Sequence, residues 1–170
     1  MNTALLVGRL IIGLGLAAHG AQKLFGWLGG YGLKGTGGFF ESLGFRPGTL
    51  FAMAAGLGEL GGGLLTAVGL LGPVGPALMI VVMVVAILSV HWSQGFFADK
   101  KGVELPLMYA TGAFVLAFAG QGAYSLDRLL AVAVPSGPRA TWLAVALALL
   151  LAFVTMGLRR TAPAQPSAAR

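Results

Sequence analysis

A chain of 170 residues that is 57% apolar and only 9% charged, with a net charge of +6, is not built for water. Its basic residues are scattered over loops and ends and do not alternate with aromatics along one face, which argues against nucleic acid as a partner. The absence of cysteine excludes disulfides, iron–sulfur clusters, c-type haem attachment and dithiol redox motifs, so any electron carrier must be borrowed.

Crossing about 30 Å of hydrocarbon takes roughly 20 mostly apolar residues in a helix. Five runs qualify, at approximately 4–28, 50–71, 74–92, 105–123 and 141–158. None alternates polar and apolar residues as a barrel strand does, and only helices otherwise satisfy their own backbone in lipid. The expectation is an all-α integral membrane protein whose direct partner is the lipid bilayer. Residues 1–160 form a transmembrane bundle, a four-helix core plus a fifth C-terminal helix, and the proline- and alanine-rich stretch 161–170 forms a disordered tail.

The first run has no basic n-region in Met1-Asn2-Thr3 and is longer than a signal-peptide core, so it is expected to stay in place as a helix. It carries Arg9, His19 and Lys23, which at about 100° per residue fall within roughly 80° of arc and share one face. The connector from Gly29 to Gly48 combines glycines with Lys34, Arg46, Tyr31, Phe39, Phe40 and Phe45. It is expected at the membrane interface, with its aromatics either anchoring at headgroup level or roofing a pocket for a flat ligand. The second run holds Glu59 and small residues four apart at Ala54, Gly58 and Gly62, a spacing that suits close packing inside the bundle or a homo-oligomer contact. Gly72-Pro73-Val74-Gly75-Pro76 then leaves room only for a tight reversal. The third run ends on His91-Trp92, the fourth carries Tyr109 and leads to Gln121 and Asp127, and the fifth ends at Arg159-Arg160.

An ionisable group in mid-membrane costs at least about 2.5–3.5 kcal/mol on insertion scales, so each one demands a reason. At roughly 1.5 Å per residue, His19 and Glu59 each lie about 14 Å below one surface and Lys23 about 8 Å below it. His91 and Tyr109 approach from the same side, so Lys23, His19, Glu59, His91 and Tyr109 gather from four helices in one half of the membrane. Two readings of Glu59 stand: a carboxylate that only neutralises Lys23 and fixes helix register, or a proton-handling or ligand-binding group. In the other half, Arg9, Asp127 and Gln121 are expected to form a structural pair with a neighbouring amide. Two histidines and a glutamate without a tight motif such as His-x-x-x-His do not specify a metal site, and no intrinsic cofactor is expected.

These residues resemble the DoxX family of small membrane proteins. The resemblance is carried by Arg9, by Ala18-His19-Gly20-Ala21-Gln22-Lys23-Leu24-Phe25-Gly26, by Gly56-Leu57-Gly58-Glu59-Leu60-Gly61-Gly62, by Val90-His91-Trp92 and by Gly120-Gln121-Gly122-Ala123-Tyr124-Ser125-Leu126-Asp127. It implies a four-helix core and a link to quinone-dependent sulfur oxidation, quinol oxidase preparations and oxidative-stress complexes, from which the fifth run is a departure. The leading expectation is a quinone-linked oxidoreductase subunit of the inner membrane. Glu59, Lys23 and His19 handle protons, His91, Tyr109 and Trp92 border a membrane quinone, and other redox subunits or soluble oxidoreductases are partners. A non-catalytic anchor that recruits soluble enzymes and a small transporter or channel are the alternatives. Seven basic residues, Lys34, Arg46, Lys100, Lys101, Arg159, Arg160 and Arg170, fall on one side against Arg128 and Arg139 on the other. That bias places the N-terminus outside and the C-terminus in the cytoplasm.

Overall fold

The computed structural model describes residues 1–135 and 137–160, so the disordered tail expected at 161–170 lies outside the described residues. Asn2–Phe25 forms α1, whose 24 residues run until Gly26 adopts a left-handed conformation (φ 73°) and its N–H closes on the Gln22 carbonyl. Gly32–Ser42 forms α2, Gly48–Val68 α3 and Val74–Ala86 α4, which runs on through a π turn at Ile87–His91 and a 3-10 turn at Trp92–Gln94. Glu104–Ala119 forms α5, Leu126–Leu129 a single turn, α6, and Pro138–Gly157 α7. No strand occurs among the described residues. Helices α1, α3, α4 with its extension, and α7 are long and apolar enough to cross a membrane, and α5 is a shorter apolar helix of 16 residues. The fourth run stops short of residue 123 because Gly120, at φ 77° and ψ −178°, turns the chain out of the helix.

The connector expected between the first two runs contains a helix, α2. Its glycines suggest coil, yet they let it lie against the start of α3: a Cβ on Gly37 would sit 2.8 Å from the Thr49 methyl. Glu41 then accepts a hydrogen bond from the Gly48 N–H at 3.1 Å, capping the first turn of α3 with a negative charge. Tertiary contact overrides the low helix propensity of glycine here.

Helix α1 packs most extensively on α3, and glycine explains how. Gly13 lies against Gly63, and Gly20 against Gly56 and Leu60, in antiparallel register, so that a Cβ on either α1 glycine would meet backbone atoms of α3. The glycines that matter are therefore seven apart, two turns along each helix, rather than the four-apart set read from sequence. Gly62 points elsewhere, to Gly75, Leu78 and Met79 of α4. Gly58 likewise faces Val82 of α4, while Ala54 is exposed.

Helix α4 is central, touching α3, α5 and α7, and the buried cluster of Leu16, Met79, Ile80, Met83, Ala113, Val145 and Ala148 surrounds it. A second cluster of Phe45, Val85 and Ala152 with Phe40, Phe51 and Met156 closes the α2 end. On α7 the apolar side chains Leu143, Leu147, Leu150, Phe153 and Val154 face outward and are more than half exposed, as suits hydrocarbon and not water. The far end of α7 is fastened to the α2–α3 connection: Arg159 Nε donates to the Leu43 carbonyl and the Arg160 N–H to the Gly44 carbonyl.

Candidate functional site

The α1–α3 register, which sets Gly20 against Gly56 and Leu60, places Glu59 beside the C-terminal third of α1, within reach of Lys23. Lys23 Nζ and Glu59 Oε2 form an ion pair at 2.5 Å, with the lysine side chain 28% exposed and the glutamate 5%. A charge buried this deeply persists only when paired, so the contact answers the first demand that the sequence raised. Among the described residues it is the one salt bridge.

The other expected members meet around this pair. His19, Lys23, Glu59, His91 and Tyr109 all line one small cavity of about 230 Å³, completed by Leu16, Met83, Ala86, Leu105 and Pro106. His19 stands edge-on to Tyr109 with ring centroids 5.9 Å apart, and the Tyr109 hydroxyl fills the space that a Cβ on Gly15 would take. His19 Nδ1 is 3.2 Å from Gln22 Oε1, and Gln22 Nε2 donates to the Leu28 carbonyl, which orients the amide oxygen toward the ring. Nδ1 therefore carries the proton, and in the neutral ring Nε2 is an acceptor. The same logic holds for His91, whose Nδ1 donates to the Lys101 carbonyl at 2.6 Å. Each imidazole is thus held in one tautomer by its support.

His91 owes its position to the π turn at Ile87–His91. Ser89 Oγ bonds the Val85 carbonyl at 2.7 Å where the helical ladder widens. The third apolar run gives no sign of this distortion beyond Ser89, a lone hydroxyl among apolar residues. Trp92, expected beside the same ligand, is 72% exposed and lines neither this cavity nor the next. The turn that brings His91 inward leaves Trp92 at the surface.

A second, larger cavity of about 470 Å³ continues from the first. It shares Lys23, Glu59, Ala86 and His91, then runs between Phe51, Ala54, Ala55 and Gly58 of α3 and Leu151 and Thr155 of α7. Leu78, Val81, Val82 and Val85 of α4 form its floor, and Phe39, Phe40 and Leu43 of α2 its roof. Of the connector's aromatics, Phe39 and Phe40 line this cavity, whereas Phe45 is buried in the core and Tyr31 is exposed. Lys23 also borders a third opening with Gln22, Gly30, Tyr31 and Thr36, beside the start of α2. Neither α2 as a helix nor the contribution of α7 to this cavity was visible in the sequence, because both depend on elements distant in the chain.

At the opposite end of the bundle, the expected Arg9–Asp127 pair is not a direct one. Arg9 is 1% exposed, and its Nη2 donates to the Tyr124 carbonyl, while Nε and Nη1 are buried with no hydrogen-bond partner among the described residues. Asp127 instead accepts from the backbone N–H groups of Leu71 at 2.9 Å and Gly72 at 2.7 Å, and acts on Arg9 only through its charge. Gln121 Nε2 donates to the Gly72 carbonyl. The α3–α4 reversal leaves these backbone groups unpaired, and they outcompete the guanidinium for the carboxylate. A broad, open cavity of about 670 Å³ lies beside Gln121, Asp127 and Arg128. Among the described residues no group of three or more His, Asp or Glu side chains is arranged to hold a metal ion.

A protein-family model described as DoxX matches residues 4–92, which span α1 to the His91 turn and so hold every charged member of the Lys23–Glu59 site. Neither the search of curated proteins nor that of solved structures found a match.

Proposed function

The chain belongs to the DoxX family and is a multi-pass membrane protein, and from that premise we propose that it is a quinone-linked oxidoreductase subunit whose buried ion pair handles protons. The observation that carries this reading is the union of two cavities, one polar and one apolar, along the Lys23–Glu59–His91 line. A quinone, when bound, supplies electron transfer coupled to proton uptake and release, chemistry that side chains without cysteine do not provide. The residues fit such a group. Its ring oxygens need hydrogen bonds, which Lys23, Tyr109 and the imidazoles are the types to give. Its chain needs an apolar slot, and about 470 Å³ falls within the usual range of small-molecule sites.

In this reading Glu59 holds the proton at Oε2 and exchanges it with Lys23 Nζ across their short contact. Lys23 lines the polar cavity, the apolar cavity and the opening beside α2, and so connects the pair to the surface. His19 Nε2 accepts a proton on the far side of the pair, with Gln22 holding the ring. The Lys100–Lys101 loop, exposed at the same end, is the surface for soluble oxidoreductases or other redox subunits.

The test is whether a quinone copurifies and depends on Glu59. Absorbance of the purified protein with its extracted lipids is expected to show quinone, and Glu59→Gln to lose it, or to lose quinone-dependent turnover, while remaining folded. Glutamine keeps the size and much of the hydrogen bonding and removes only the exchangeable proton. Normal activity per folded Glu59→Gln molecule overturns the proton role and leaves a membrane anchor. The same reading sets the protein in the inner membrane with its N-terminus outside, and a reporter fused after Arg160 that is active only outside overturns that orientation.

A further inference from the structure

The apolar cavity has a wall that the DoxX-matching segment does not supply. It lies beyond residue 92, on α7, where Leu151 and Thr155 face Ala54 and Gly58 of α3 across the α4 floor. Helix α7 packs on α4 and is fastened at its far end by Arg159 to the Leu43 carbonyl. It is not closed against α3, and Leu151 and Ala54 are both exposed at the rim. The result is a slot with exposed residues of α3 and α7 at its rim, apolar along most of its length and charged where Lys23, Glu59 and His91 line it.

We infer that α7 and α3 frame a lateral portal through which the isoprenoid chain of a membrane quinone lies, with Leu151 and Ala54 as the residues that set its width. This inference rests on the quinone reading above and adds the route of access and the residues that select the chain. The occupant follows from continuity: the slot leads without interruption to Lys23, Glu59 and His91. It therefore suits a molecule with an extended apolar chain and a hydrogen-bonding head. A saturated acyl lipid would place its charged phosphate at the membrane surface, away from that inner end. Thr155 bonds the Leu151 carbonyl within its own helix, so its hydroxyl makes no demand on the chain passing beside it.

The full-length protein in nanodiscs is titrated with two probes, a long-chain isoprenoid quinone and a benzoquinone bearing no chain, using wild type, Leu151→Trp and Ala54→Phe. Both substituted positions are exposed at the rim, so the larger side chains are accommodated by lipid at little cost to folding. Each is expected to weaken the long-chain quinone about tenfold or more, equivalent to leaving roughly two methylenes unburied, with the chainless probe changed less than about twofold. Long-chain affinity unchanged in both variants overturns the portal while leaving the quinone reading intact. Equal weakening of both probes also overturns it, because the substitutions then act on the head site. Failure of wild type to bind either probe overturns the quinone reading and the portal with it.

Discussion

The two ends of the bundle each bury charge, and they use it differently. At the Arg9 end every strong bond runs from a side chain to backbone: Asp127 to the N–H groups of Leu71 and Gly72, Gln121 to the Gly72 carbonyl, Arg9 to the Tyr124 carbonyl. At the Lys23 end the principal bond joins two side chains on different helices, with further titratable groups around a shared cavity. Backbone partners cannot exchange protons and fix the chain where it turns. Side-chain partners can trade a proton without altering the fold. The partner, more than the depth or the charge, separates a structural polar group from one equipped for chemistry.

That distinction is sharpest where a charge loses its neutraliser. Asp127→Leu strips two backbone N–H groups of their acceptor and leaves Arg9, which cannot lose its proton, buried without compensation. A loss on the order of 3–5 kcal/mol is expected, read as failure to accumulate or as a large drop in thermal unfolding temperature in detergent. Gly69→Ala is expected next. Gly69 has φ 67°, and its Cβ would collide with the Arg9 guanidinium, so roughly 2–3 kcal/mol should be lost in the same assay.

The other end should be more forgiving. Lys23→Met leaves Glu59 without its partner, but a carboxylate can take up a proton and become neutral, so about 1–2 kcal/mol is expected. Adding Glu59→Met should recover part of that loss, and a double-mutant cycle that is simply additive would deny the coupling. Glu59→Gln should cost the least stability, under about 1 kcal/mol, while removing quinone binding. If it destabilises as much as Asp127→Leu, the contrast between the ends collapses.

Much of this was legible in the sequence because lipid is an unforgiving solvent. Five helical runs and the meeting of His19, Lys23, Glu59, His91 and Tyr109 followed from apolar run length and a fixed rise per residue. What escaped depends on contacts that periodicity does not encode. Helix α2 reads as glycine-rich coil until Thr49 and Gly48 are placed beside it. Asp127 looks like the partner of Arg9 until the reversal at Leu71 and Gly72 presents two unpaired N–H groups. Trp92 follows His91 in sequence, and a local change of helical pitch sends the two to different surroundings.

The bonds from Arg159 and Arg160 to Leu43 and Gly44 join residues more than a hundred positions apart. A chain leaves the ribosome N-terminus first, so earlier helices are in the bilayer before later ones exist. Both partners of the ion pair exist once α3 has been made, yet the slot beside it gains its α7 wall only after Pro138–Gly157 has followed. The charged centre of α1 and α3 therefore precedes, in the nascent chain, the α7 wall of the cavity it borders.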